Sequence, residues 1–178
     1  MEGAMHGLEI RDSQAGDLSA IESLYPRAFP DEDLVPLVRQ LLTQEHDILS
    51  LIARTGGTLA GHILFTICGM TGDDAKAALL APLAVEPQWQ RQGIGTALIR
   101  DGLARLKSAG VAHVYVLGDP AYYGRSGFKP ETGVAPPYPL PEEYRDAWQS
   151  LSLRAAPPPD HGKLKLPDVW MQPALWGP

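Results

Sequence analysis

The chain has 178 residues, 44% of them hydrophobic, a formal net charge of −6 and one cysteine, which suits one domain burying about two-thirds of its unfolded surface. Cys68 alone excludes an internal disulfide or a multi-cysteine metal site, and His6, His46, His62, His113 and His161 show neither H-x-x-x-H nor H-E-x-x-H spacing, so no metal is expected. Ten acids against three bases in the first 50 residues disfavour nucleic acid or an anionic membrane as partner, and without an apolar run of about 18 residues or a leader pattern over Met1 to Ile10 the expectation is a soluble, cytoplasmic protein.

Leu8 to Ile10 reads as a short strand. Ser13 then stands where a helix cap is wanted, ahead of an apolar stripe of Leu18, Ile21, Leu24, Tyr25 and Ala28. Pro30 and Asp31 end that helix. Leu34, Leu37, Val38, Leu41 and Leu42 mark a second one, running to about Thr43. The acids Asp31, Glu32 and Asp33 before it either draw a cationic amine or simply offset the helix dipole. Ile48 to Arg54 and Leu59 to Ile67 flank Thr55-Gly56-Gly57-Thr58, a hairpin pattern. Gly69 to Asp74 reads as a turn, and Lys76 to Val85 as a nearly continuous apolar strand covered on both faces. Pro82 cannot donate to a ladder, so strand pairing is expected to be disturbed there.

Gln90-Arg91-Gln92-Gly93-Ile94-Gly95 comes next and opens a helical stretch, Thr96 to Ala109, with Ile99, Leu103 and Leu106 at helical spacing and Gly110 at its C-cap. His113 to Leu117 is the following strand, so a right-handed crossover makes it parallel to the strand before the helix. Beyond Phe128 the chain is punctuated by Pro130, Pro136, Pro137, Pro139 and Pro141, shows strand-like alternation over Ala147 to Leu153, and turns irregular at Pro157-Pro158-Pro159. Trp170, Leu175 and Trp176 indicate that this tail packs on the body.

A glycine turn at a helix start presents backbone N–H groups that no helical carbonyl satisfies, at the positive end of the helix dipole. Gly93 and Gly95 permit close approach of an anion, Arg91 adds a cation, and Gln90 and Gln92 add amide donors. The pattern is that of a phosphate-bearing cofactor site. No lysine stands at the P-loop offset, which argues against nucleotide hydrolysis, and Leu98 occupies the third-glycine position of a dinucleotide fingerprint. Asp119, about where an acid meets a ribose, keeps a dinucleotide-binding oxidoreductase as a weaker alternative.

The spacing Q-x-x-G-x-G after Leu83-Ala84-Val85-Glu86-Pro87, together with Tyr122-Tyr123-Gly124-Arg125-Ser126-Gly127-Phe128 downstream, resembles the GNAT superfamily of acyl-CoA-dependent N-acyltransferases, and within it a small prokaryotic branch of predicted acetyltransferases. Gly61-His62-Ile63-Leu64-Phe65 and Gly118-Asp119-Pro120-Ala121 carry the narrower likeness. The resemblance implies a three-layer α/β (α+β) fold with a mixed, centrally splayed sheet of about six to seven strands flanked by helices. It implies one domain over residues 1–178, with 130–178 a Pro-rich segment packed on it, existing as a monomer or homodimer. The turn from Gln90 through Arg91, Gln92, Gly93, Ile94 and Gly95 to Thr96 would wrap the pyrophosphate of acetyl-CoA, the co-substrate. That cofactor would enter where the strand holding Leu83, Ala84 and Val85 splays from its neighbour. Leu117-Gly118-Asp119 departs from the asparagine that many members carry, and Ser126 from the bulky residue usual before Gly-Phe.

The implied reaction is direct attack of a primary amine on the thioester in a ternary complex. Such an amine, with a pKa near about 10, needs a base or water chain to remove a proton, and the departing thiolate needs a proton back. Tyr123 sits at the family's acid position, while Tyr122 is assigned to packing. Backbone N–H groups at Leu83 to Val85 would orient the thioester. Glu86 is a candidate base by position but is expected to turn into the loop, and Asp119 would act as base, bond the pantetheine arm or cap the short helix after it, so no base is assigned. The acceptor, a small-molecule or peptide amine, is not legible. A non-catalytic acyl-CoA sensor would keep the binding motifs and dispense with Tyr123.

Overall fold

In the computed structural model, which describes residues Gly7–Trp176, the chain forms β1 (Leu8–Asp12), α1 (Leu18–Ala28), α2 (Val35–Thr43), β2 (Ile48–Thr55), β3 (Thr58–Met70), β4 (Asp73–Val85), α3 (Ile94–Ser108), β5 (His113–Leu117), the single turn α4 (Pro120–Tyr123), β6 (Lys129–Pro130), β7 (Trp148–Ser152) and β8 (Leu164–Lys165). His6 and the first residues of the start read above for a leader lie outside the described residues. The strands make a mixed eight-stranded sheet in the order β1-β2-β3-β4-β5-β7-β6, with β8 paired to β3. The count exceeds the expected six to seven because β6 and β8, two residues each, come from the Pro-rich segment. Two compact units divide the chain, one running up to Phe65 and including Pro82–Ala104, the other holding Thr66–Ala81 and everything from Arg105 on.

In the first unit β1 pairs antiparallel with β2, from Leu8 opposite Thr55 to Asp12 opposite Leu51. The β2–β3 hairpin turns on Gly56 and Gly57, both left-handed at φ 59° and 81°, the pair of positive dihedrals that a two-residue turn demands. Helices α1 and α2 bury Ile21, Leu24, Tyr25 and Val38 against Ile52 and Ala84. On β3 residues of opposite parity face opposite sides, so His62 meets Tyr25 of α1 while Gly61 and Phe65 meet α3. The α3 contact is close: a Cβ on Gly61 would stand 3.1 Å from Leu98 Cδ1, and one on Gly102 2.3 Å from Phe65 Cε2. Leu98 is therefore a core residue of the helix–strand seam, fully buried.

Several local expectations shift. Ser13 does not cap α1; its hydroxyl donates to Ser50 Oγ at 2.7 Å. A 3-10 turn over Ala15–Asp17 leads into the helix instead, braced by the Gln14 N–H donating to the Asp17 carboxylate at 2.7 Å. The turn expected over Gly69 to Asp74 contracts to Thr71-Gly72, because β3 and β4 pair further out than their apolar runs suggested. Gly110 behaves as expected: at φ 87° it donates to the Lys107 carbonyl while Val111 donates to that of Leu106, closing α3.

In the second unit β4 and β5 are parallel, with Ala77, Ala78 and Leu79 opposite His113, Val114 and Tyr115. β7 lies antiparallel on the other side of β5. Near the C-terminus Trp170 and Trp176 are buried, Trp170 Nε1 donates to Thr66 Oγ1 at 3.0 Å, and Trp176 stacks edge-on against Trp148. No helix among the described residues is long and apolar enough to cross a membrane.

Candidate active site

After Val85 the chain makes a 3-10 turn, Pro87–Trp89, and reaches the glycine segment. Arg91 holds φ 63°, the one non-glycine residue with positive φ among the described residues, and Gly93 holds φ 90°. A left-handed arginine costs roughly 1–2 kcal/mol, and such strain persists where surrounding structure enforces it, commonly at binding sites. Left-handed residues alternating with ordinary ones turn successive N–H groups toward one side, a conformation that receives anions. The first bond of α3 runs from the Ala97 N–H to the Gly93 carbonyl, so the N–H groups of Ile94, Gly95 and Thr96 have no acceptor within the helix. No acid stands in that first turn to offset the dipole. These residues fit a diphosphate.

The two glutamines act differently from the expectation. Gln90 Nε2 donates to the Val85 carbonyl at 3.1 Å and Gln92 Nε2 to that of Gln88 at 3.4 Å. Both amides brace the loop on its own backbone, leaving Arg91, exposed, as its cation.

The parallel ladder of β4 covers Ala77–Leu79, and the strand runs six residues beyond it to Val85. Ala77 to Leu80 are buried on both faces; from there burial alternates, with Pro82 and Ala84 inside and Leu83 and Val85 half-exposed. The expectation at Pro82 concerned pairing, and the ladder with β5 ends at Leu79, three residues before it. Glu86 is not free to act as a base: its carboxylate takes a bidentate pair of hydrogen bonds from Arg27 Nε and Nη2, both at 2.8 Å. Its N–H donates to the Ala60 carbonyl at 2.8 Å, anchoring the root of the loop on β3. Arg27 went unnoticed in the sequence, since nothing local links positions 59 apart.

In the second unit Asp119 caps α4, accepting from the Ala121 N–H at 2.9 Å, the local role among those weighed. Tyr123 is half-buried, edge-on to Tyr122 (5.0 Å between centroids) and Phe128 (5.9 Å). Its ring lies over Gly118 so closely that a Cβ there would stand 2.4 Å from Cε2. A side chain at position 118 would collide with the tyrosine in this pose. Burial, and secondarily Tyr122, push the Tyr123 phenol well above its ordinary range. The premise of a phenol matched to a thiolate is corrected accordingly, because burial makes it a weaker acid that stays protonated. Arg125 lies 5.3 Å from the Tyr122 ring centroid, a cation–π contact in keeping with a packing role. Ser126 leaves the turn closed, with the Gly127 N–H on the Gly124 carbonyl and Phe128 on that of Tyr123.

His62 is fully buried: Nδ1 lies 2.7 Å from Tyr25 Oη and Nε2 2.8 Å from Ser50 Oγ. Burial lowers its pKa to about 3, so it is neutral. Burial likewise raises the Cys68 thiol to about 12. No group of three or more metal-ligating side chains occurs among the described residues.

A mixed sheet whose crossover helix is headed by an anion-receiving turn is an architecture suited to a phosphate-bearing co-substrate. The chain belongs to the acetyltransferase (GNAT) family, whose model matches residues 18–128. A relative from Escherichia coli K12 named as an uncharacterized N-acetyltransferase, YjhQ, is 39% identical over 171 residues, 92% of this chain and 94% of the relative. The structure of the E. coli GNAT N-acetyltransferase YhbS in complex with CoA superposes with a TM-score of 0.82 at 27% identity, covering 93% of this chain and 92% of YhbS. A GNAT acetyltransferase from Brucella melitensis in complex with acetyl-CoA gives 0.75 at 29% identity, over 92% and 98% of the two chains.

Proposed function

We propose that this protein transfers an acetyl group from acetyl-CoA to the nitrogen of a primary amine, a small molecule or a peptide terminus, by direct attack. The observation that carries the reading is the strained turn of Arg91 and Gly93 ahead of the open N–H groups of Ile94, Gly95 and Thr96. A diphosphate is the ligand those donors suit, and the YhbS and B. melitensis relatives were solved with CoA and acetyl-CoA. Backbone groups at Leu83, Ala84 and Val85 take the thioester. The amine nitrogen forms the new amide bond as the carbon–sulfur bond breaks, and the amine's proton passes to a base or a water chain.

The thiolate gains one, and Tyr123 is the proposed donor. Burial makes it a weaker acid than a free phenol, so it holds its proton at working pH and gives it up to the departing thiolate only in an uphill step. Asp119 serves this chemistry indirectly, by holding the turn that carries Tyr123. We read residues 1–178 as one acetyltransferase domain, monomeric or homodimeric, working in the cytoplasm.

The test mixes the protein with acetyl-CoA and a panel of amines and follows free thiol. Thiol release with at least one amine, abolished in Tyr123→Phe, is the expected result. Acetyl-CoA binding without release for every amine returns the sensor reading. Calorimetry of CoA against wild type and Gly93→Val examines the turn by itself: heat from the first and none from the second is expected, and no heat from either overturns the assignment.

A further inference from the structure

Four side chains of the first unit that take no part in the proposed chemistry form a continuous hydrogen-bonded line. Tyr25 Oη lies 2.7 Å from His62 Nδ1, His62 Nε2 lies 2.8 Å from Ser50 Oγ, and Ser13 Oγ donates to Ser50 Oγ at 2.7 Å. Tyr25 and His62 are fully buried and Ser50 is 8% exposed. The line has a direction. His62 is neutral, so one ring nitrogen carries a hydrogen and the other accepts. Were that hydrogen on Nδ1, the buried Tyr25 hydroxyl would lose its acceptor there, a cost of roughly 1–3 kcal/mol. The satisfied arrangement has Tyr25 donating to Nδ1 and Nε2–H donating to Ser50. Ser50 Oγ then accepts from both His62 and Ser13, which fills its two lone pairs and leaves its own hydrogen to be given elsewhere.

Ser50 lines a cavity of about 520 Å3 bounded by the end of β1, the start of α1, the end of α2 and the start of β2. Its volume lies in the range of small-molecule sites. Leu18, Leu42 and Ile48 supply an apolar wall. No lysine or arginine lines it and Asp12 does, so an anion is disfavoured. Asp12 would attract an ammonium, but an ammonium has only donors to offer and leaves the Ser50 hydrogen without an acceptor.

We propose that this cavity is a second small-molecule site, separate from the anion-receiving turn, which takes an uncharged amphipathic molecule whose carbonyl or ether oxygen accepts from Ser50 while its alkyl part lies on Leu18, Leu42 and Ile48.

Butyramide is a suitable probe, titrated into the isotopically labelled full chain and followed by amide shifts in two-dimensional NMR. Saturable shifts at Ser13, Leu18, Thr43 and Ser50 are expected with butyramide and absent with butyrate and propylammonium. Ser50→Ala should weaken butyramide about five- to tenfold, as loss of one hydrogen bond predicts, with the calorimetric response to CoA unchanged. Ala15→Phe, a substitution on the exposed lip that fills the space, should abolish the shifts and decides the matter if Ser50→Ala fails to fold. Absence of saturable shifts, equal binding by wild type and both variants, or equal response to the two charged analogues overturns the site.

Discussion

At Gly118 and His62 single atoms decide the outcome. Gly118→Ala places a methyl group 2.4 Å from the Tyr123 ring, so the ring must leave its seat. The expected result is a loss of about 1–3 kcal/mol in urea unfolding and at least a tenfold fall in kcat, with KM for acetyl-CoA nearly unchanged because the turn at Arg91–Thr96 is untouched. His62 sets an acid limit. Its folded pKa is depressed to about 3 against about 6.5 in the unfolded chain. The unfolded state therefore binds a proton that the folded state refuses. The stabilising contribution is complete above the unfolded value and is lost as pH falls from there toward the folded one, at up to about 1.4 kcal/mol per pH unit. Asp17, whose pKa the Arg11 hydrogen bond lowers, stays ionised through the upper part of that window and does not obscure it. Urea midpoints between neutral pH and mildly acid pH should fall steeply in wild type and less so in His62→Gln. Equal slopes would remove His62 from the account.

Among the elements, those with a strong period were legible and those without one were not. The two amphipathic helices, the Gly56-Gly57 hairpin and strand β5 follow from apolar spacing and turn chemistry, which are local terms of the backbone energy. The Pro-rich segment has no period, and its structure is decided by partners far away in the chain. Trp170 packs beside Trp176 and reaches Thr66, 104 positions earlier. Trp170→Ala should cost about 3–5 kcal/mol, read from urea unfolding, whereas exposed Met171→Ala should stay within about 0.5 kcal/mol. Comparable losses would mean that the tail is a surface appendage.

For the molecule as a whole, ligand binding is a stability measurement. If the chain binds CoA when folded and not when unfolded, a concentration 100-fold above Kd adds about 2.7 kcal/mol, which raises Tm by roughly 5–10 °C for a chain of this size. Scanning calorimetry should show that rise with CoA, none with NADH, and none for Gly93→Val with either. The NADH arm tests the dinucleotide alternative, which the fold already disfavours. Hairpins on both sides of β3, with β4 and β5 the parallel strand pair among the described residues, differ from the run of parallel strands that a dinucleotide crevice requires.

The amino-acid order alone determined the helix stripes, the hairpin, the place of the anion-receiving turn and the tyrosine before Gly127-Phe128. Each depends on spacing within a few residues, where backbone dihedrals and side-chain period carry the information. Folding decided what those parts meet. Arg27 closes on Glu86, Tyr25 and Ser50 close on His62, and Tyr123 settles on a bare Gly118. Such pairings are set by packing and by the cost of leaving a buried polar group unmatched. Those free energies exist only once distant segments share one core.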